Sequence, residues 1–345
     1  MNFFSQLKHA FIIAEIGVNH NGDILLAKRL IDAAKEAGAD AVKFQTFKAS
    51  NLVSPGTPKV RYQMNTSSTE ETHYEMLKRL ELSKPEHIDL ALHCREIGIE
   101  FLSTPYDIES AAFLDEMNVN YFKTASADLV DLPLQRFIAS KCKPTIVATG
   151  MATLGEVERV VNIFAEEGNT NAVLLHAVSN YPCSDESLNL LAMHTLAQAF
   201  SLPVGFSDHS EGYLGAVISI AMGAKVIEKH FTIDKSLSGP DHKASSTPTE
   251  FSNLVKNVRR AERMLGSARK TCQTEERQMA AVSRKSVTLR RNMQAGEFIR
   301  NEDIQLMRPG TGIGAGSIPE LIDKLIRIDL SAGHQLRWSE IEDGK

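Results

Sequence analysis

Short apolar runs recur along the chain, each ending in polar residues and each followed by a segment whose apolar positions repeat every three or four residues. The runs cover 11–18, 41–46, 100–104, 121–126, 145–149, 172–177, 203–207 and 226–231, and their length and β-branched content predict strands. The helical pattern occupies 25–37, 84–97, 108–117, 154–167, 189–200, 213–222 and 249–265. Strands alternating with helices pair in parallel through crossovers, and eight such units close into a (β/α)8 TIM barrel, an α/β fold. The spacing departs from this rhythm once. Residues 47–83 separate the second strand from its helix, and a connection of that length over the C-terminal face is expected to be functional. After about residue 266 the pattern shifts to short β-rich runs. The expected organisation is a catalytic barrel at 1–265, a charged linker at 266–282 and a small β-rich domain at 283–345.

Composition narrows the classes. A net charge of −5 without long charge runs gives no footprint for nucleic acid or an anionic membrane surface. No apolar run approaches the roughly 20 residues of a spanning helix, and residues 1–10 hold no apolar core of signal-peptide length, so a cytoplasmic protein is expected. The four cysteines, Cys94, Cys142, Cys183 and Cys272, are far apart and read as reduced thiols.

The informative residues stand where the predicted strands end. They are Glu15 and Asn19, Lys43 and Gln45, Ser103 and Thr104, Lys123 and Ser126, Thr149, His176 with Ser179 and Tyr181, Ser207 with Asp208 and His209, and Glu228 with His230. A barrel brings its strand ends to one mouth, where barrel enzymes keep their sites, so all of these are expected to converge. A lone histidine at a strand end is usually a packing residue. The matched pair His209 and His230, on neighbouring strands, instead suggests a two-histidine metal site. Two lysines with several hydroxyls describe a pocket for a small, highly charged anion such as a phosphate ester.

Several motifs together carry a resemblance: 14–22 (AEIGVNHNG), 42–46 (VKFQT), 101–105 (FLSTP), 149–151 (TGM), 205–209 (GFSDH), 228–232 (EKHFT), 239–242 (GPDH) and 308–312 (RPGTG). In order and over nearly the whole chain, they resemble the sialic acid synthase family, a TIM barrel followed by an antifreeze-like (SAF) domain. The resemblance implies a transferase that condenses phosphoenolpyruvate with an open-chain N-acetylated hexose and water, releasing phosphate to give a sialic-type 2-keto acid. It implies a divalent metal, manganese or magnesium, on His209 and His230, with Glu15 as acid/base. By positional matching, Lys43, Thr104, Lys123, Ser126 and Ser207 would hold phosphoenolpyruvate, while Gln45, Asp128, Tyr181 and Asp241 would contact the sugar. Arg308 would be delivered onto the sugar's N-acetyl group by the neighbouring subunit of a domain-swapped homodimer.

Ala148 stands where bacterial N-acetylneuraminate synthases commonly carry serine, and Ser179, at the substrate pocket, where they often carry asparagine. The stretch 283–286 is more similar to synthases of legionaminic-type acids. The resemblance therefore favours 2,4-diacetamido-2,4,6-trideoxymannose over N-acetylmannosamine as acceptor. The alternatives are a sugar-binding barrel without catalysis and a synthase using an aldose phosphate. One further motif competes: 310–315 (GTGIGA) matches a dinucleotide-binding fingerprint, but too little chain follows for the rest of such a fold, so a glycine-rich surface turn is expected.

Overall fold

Eight strands of the computed structural model, which describes residues 2–54, 56–59 and 71–343, form one parallel sheet. They are β1 (Phe11–Gly17), β2 (Ala41–Thr46), β3 (Glu100–Pro105), β4 (Phe122–Thr124), β5 (Thr145–Ala148), β6 (Ala172–Ala177), β7 (Val204–Asp208) and β8 (Val226–His230). The hydrogen-bonded order is 3-2-1-8-7-6-5-4, and the two end strands, β3 and β4, lie against each other, giving a TIM-barrel-like α/β fold.

Side chains alternate across the sheet. Ile13, Ala41, Leu102, Ile146, Val173, Leu175 and Val226 pack together inside, and Phe4, from the short helix Phe4–Gln6, joins them. The opposite set, including Ile12, Val42, Phe44, Leu174, Phe206 and Ile227, packs beneath the helices. Helix starts follow sequence signals. Ser83 with Glu86, Thr153 with Glu156 and Thr247 with Glu250 make reciprocal caps for Lys84–Ile97, Leu154–Glu166 and Pro248–Leu265.

Three departures have local causes. The helix expected over 189–200 starts only at Ala192 and runs to Phe200, because Asn189 adopts a left-handed conformation that ends a separate short helix, Asp185–Leu188, just before it. Leu132–Ser140, capped by Asp131 with proline in its first turn, is a helix the apolar pattern did not single out. The long connection after β2 contains packed helices, Ala49–Leu52 and His73–Leu80. Val18, Phe47, Ala49, Met76, Leu77 and Leu80 give it a small core of its own; residues 60–70 of this connection lie outside the described residues.

The chain divides into two units, Met1–Gly266 and Ser267–Lys345. In the second, β9 (Ser286–Leu289) pairs antiparallel with β10 (Ile304–Met307), and β11 (Leu325–Ile326) with β12 (Ile341–Glu342). Val287, Leu289, Ile299, Leu321, Ile326 and Leu336 fill its core. The stretch expected as linker includes the exposed helix Arg277–Ser283. In the glycine-rich turn, the Gly310 amide donates to Ala281 O and the Gly312 amide to Ser286 Oγ, so these amides are spent inside the unit. No helix among the described residues is long and apolar enough to cross a membrane.

Candidate active site

The inward-facing positions continue upward from the barrel core in steps of two: Ile13 to Glu15, Ala41 to Lys43 and Gln45, Leu102 to Thr104, Val226 to Glu228 and His230. Each step trades an apolar side chain for a polar one, and a cavity of about 430 Å³ opens there. Glu15, Lys43, Gln45, Thr104, Lys123 and Ser126 line it, with Ser179, Tyr181, Ser207, His209, His230 and Asp241.

Its floor is a chain of buried charges. Lys43 Nζ lies 2.5 Å from Glu15 Oε2 and donates to Thr104 Oγ1 at 2.8 Å. Glu228 sits 4.0 Å from Lys43 and 3.5 Å from Lys123, and accepts from Ser207 Oγ at 3.0 Å. Burial pushes Glu228 upward, but Lys123, Lys43 and the Ser207 hydroxyl outweigh it and hold the carboxyl down at about 2. At Glu15 burial wins over the Lys43 ammonium, and Glu228 adds repulsion, so this carboxyl is raised. Against burial, Glu15 and Glu228 hold Lys43 charged, whereas burial lowers Lys123 despite Glu228. Two carboxyls driven apart in this way give the site one fixed anion and one group able to exchange a proton.

Glycine shapes the site at two points. At the bulge in β1, Gly17 has φ +55, and a Cβ there would meet Glu15 Oε1 at 3.0 Å and Gln45 Nε2 at 3.1 Å, disturbing the 3.2 Å Gln45–Glu15 hydrogen bond. A Cβ on Gly150 would meet Ser179 Oγ at 2.6 Å and Ser126 Oγ at 2.8 Å. The Gly150 amide donates to Ser126 Oγ at 3.0 Å.

The two histidines face each other across 5.5 Å between ring centroids, and Tyr181 packs on both, at 4.2 Å from His209 and 5.4 Å from His230. His209 Nδ1 is 2.7 Å from Val178 O; a carbonyl only accepts, so Nδ1 carries the proton and Nε2 keeps its lone pair. His230 Nδ1 is buried without a hydrogen-bond partner. Burial keeps both rings neutral, His230 well below its usual range with His209 and Lys43 adding to the effect. Neutral rings close together, one with an oriented lone pair and one with an orphaned nitrogen, fit a divalent cation whose other positions stay open. Among the described residues no cluster of three or more histidine, cysteine or acidic side chains could hold a metal.

Not every strand-end residue reaches the mouth. His176 bonds Leu188 O, Ser103 bonds Thr46, Asn19 bonds Phe231 O and Ser245, and Asp208 pairs with Lys229 at 3.0 Å, all away from the cavity. Ser103, His176 and Asp208 sit one step out of phase with the inward set, Asn19 lies in the turn beyond the end of β1, and Thr149 Oγ1 likewise bonds backbone, at Leu175 O. Asp128 does not line the cavity either; it lies in the short helix Ala127–Val130 with Oδ2 buried and unpartnered, pushed up to about 7 by burial and then by Asp131. Arg308 belongs to the second unit, exposed, its Nε donating to Ser283 O.

Other lining residues had been given no role from the sequence. Glu228 anchors both lysines, and its place two residues before His230 was the signal. Tyr106, just past β3, lines the cavity, its hydroxyl raised well above its usual range by burial and by Glu15, Asp128, Tyr181 and Asp241. The connection after β2 adds His73 and apolar residues.

The chain is similar to several known proteins. Over 336 residues the chain is 48% identical to the N,N'-diacetyllegionaminic acid synthase of Legionella pneumophila, spanning 96% of this chain and 94% of that protein. It is 41% identical to the protein of the same name from Campylobacter jejuni, over 92% and 96% of the two chains. The crystal structure of N-acetylneuraminic acid synthetase from Leptospira borgpetersenii superposes with a TM-score of 0.71 at 34% identity, covering 79% of this chain and 90% of that one. Residues 30–270 match the model of the NeuB family, and the chain belongs to that family.

Proposed function

We propose that this protein is a nonulosonic acid synthase that joins phosphoenolpyruvate to an open-chain N-acetylated hexose, with 2,4-diacetamido-2,4,6-trideoxymannose as acceptor. The observation that carries the proposal is the buried Glu15–Lys43–Glu228–Lys123 chain at the floor of a cavity edged by hydroxyls. Lys43 and Lys123, with Thr104, Ser126 and Ser207, offer cations and donors to a phosphate and a carboxylate, while Gln45, Tyr181 and Asp241 line the same space for a polyol. The names of the relatives at 48% and 41% identity support the diacetamido acceptor.

In the reaction proposed, C3 of phosphoenolpyruvate forms a bond to the aldehyde carbon, and the carbonyl electron pair moves onto oxygen, which takes a proton. Water adds to C2 and loses a proton; C2–O cleavage then releases inorganic phosphate and leaves the 2-keto acid. Glu15 is the group placed to move a proton, because burial raises it towards working pH while Glu228 stays ionised. The lysines hold the anion, and the ordered floor keeps the reactants in register. His209 and His230 would hold a divalent ion, manganese or magnesium, which when bound supplies Lewis acidity to an oxygen of the substrates. Arg308 would complete the sugar site from the second subunit of a domain-swapped homodimer. The test is to supply the purified protein with phosphoenolpyruvate and the diacetamido sugar. Phosphate release that requires both, with a 2-keto acid of the summed mass, is expected; release without acceptor, or none with it, overturns the proposal.

A further inference from the structure

Six apolar side chains, Val18, Leu52, Val53, Met76, Leu77 and Leu80, line the same cavity as the buried charges. They pack on one another in a cluster separate from the barrel core, and all but Val18 come from the connection after β2. The amides of Leu52, Val53 and Met76 are spent within their own turns, on Lys48, Ala49 and Thr72 carbonyls. The cluster therefore offers a ligand little besides dispersion and exclusion of water. Polar atoms beside it among the described residues include the hydroxyl of Tyr106, whose side chain packs on the cluster, and His73 Nδ1, which is buried without a partner; both residues line the cavity. Burial, and then Lys59, lower the pKa of the His73 ring.

A phosphate or carboxylate has no use for such a surface, and the cations that suit one stand at Lys43 and Lys123. The apolar side belongs to the acceptor. Resting on the synthase function proposed above, we infer that this wall is the acceptor-specificity element: it receives the methyl groups of an acetamido- and deoxy-substituted hexose, and His73 Nδ1 pairs with an acetamide. A hydroxyl brought against these apolar side chains would lose its water and find no partner among them, which is unfavourable. An apolar surface rejects a hydroxyl-bearing analogue by about 10²-fold in kcat/KM, whereas an unpaired polar group adds more.

The test compares three acceptors on the full-length protein: the diacetamido trideoxy sugar, N-acetylmannosamine, and 6-deoxy-N-acetylmannosamine, which isolates the C6 hydroxyl. The wild type is expected to prefer the first by about 10²-fold, with the 6-deoxy sugar between the others. Met76→Gln should cut that preference by about tenfold by giving the hydroxyl a partner, Met76→Leu should keep it, and KM for phosphoenolpyruvate should stay put in both. Met76 is buried, so Val53→Thr, isosteric and half-buried, is run beside it and should move the ratio in the same direction. Unchanged ratios in both polar variants, or a parallel loss for every acceptor and for phosphoenolpyruvate, overturn the inference while leaving the synthase standing. A wild type that condenses none of the three sugars overturns both.

Discussion

Replacing Lys123 by methionine removes one of two ammonium groups that keep Glu228 ionised, and the geometry sets the size of the response. Taking away the sole partner of a buried charge is destabilising by about 3–5 kcal/mol. Glu228 keeps Ser207 Oγ at 3.0 Å and Lys43 at 4.0 Å, and burial already works against the Lys123 charge, so the stability loss should stay below about 3 kcal/mol. The loss of substrate binding is a separate quantity. A charge-assisted contact is worth about 1.5–3 kcal/mol. At about 1.4 kcal/mol per factor of ten, KM for phosphoenolpyruvate should rise roughly 10- to 100-fold while KM for the acceptor holds. The assay is phosphate release with each substrate varied at saturation of the other, alongside a melting curve. Lys123→Met/Glu228→Gln separates the two roles, since it removes the stranded anion as well. The double variant should recover melting temperature but not affinity for phosphoenolpyruvate. Recovery of that affinity, or an equal rise in both Michaelis constants, would show that Lys123 serves only as a countercharge and refute its role as an anion contact.

Three further outcomes are expected. His209→Ala and His230→Ala should each abolish manganese binding measured by titration calorimetry, and full activity of either variant in chelator removes the metal assignment. Asp241, raised to about 7 by burial and by Glu15, binds a proton in the folded state that its unfolded form releases near 4, so substrate-free stability should fall as pH rises between those values and level off above; Asp241→Asn should therefore gain melting temperature relative to wild type more at pH 8 than at pH 5, and an equal gain at both refutes the shift. Mixing Arg308→Ala with Glu15→Gln should restore activity once heterodimers are shown to form, and heterodimers without activity would place the arginine in its own chain's site.

The barrel was legible because its two periods are: alternating strand and helix patterns gave eight strands, with ends within two residues of those observed. The site was partly legible for the same reason. Glu15, Lys43, Lys123, Ser207, His209 and His230 stand at strand ends and face inward, but so near the ends that His176, Asp208 and Ser103 looked equivalent. The two-residue step that separates them was present in the sequence: Ser207 and His209 share a face that Asp208 does not. Tyr106 and the apolar wall were not legible, since Tyr106 follows the last strand residue and Met76, Leu77 and Leu80 belong to a helix whose apolar face could equally have packed on the barrel's outside.

What no reading of strand ends could supply is the difference between Glu15 and Glu228. Both are glutamates facing inward on adjacent strands, and β1 pairs with β8 so that Glu228 lies beside Ile13 and Glu15 beside His230, one inward step further along. Their protonation diverges because closure gives Glu228 two lysines from β2 and β4 and a hydroxyl from β7, while Glu15 has one lysine, which it shares. That allocation depends on which strands face each other across the barrel, a relation between Glu228 and lysines 185 and 105 positions before it, Lys43 and Lys123. A raised carboxyl beside one held ionised therefore follows from strand order and from the barrel's width, with identical side chains in both places.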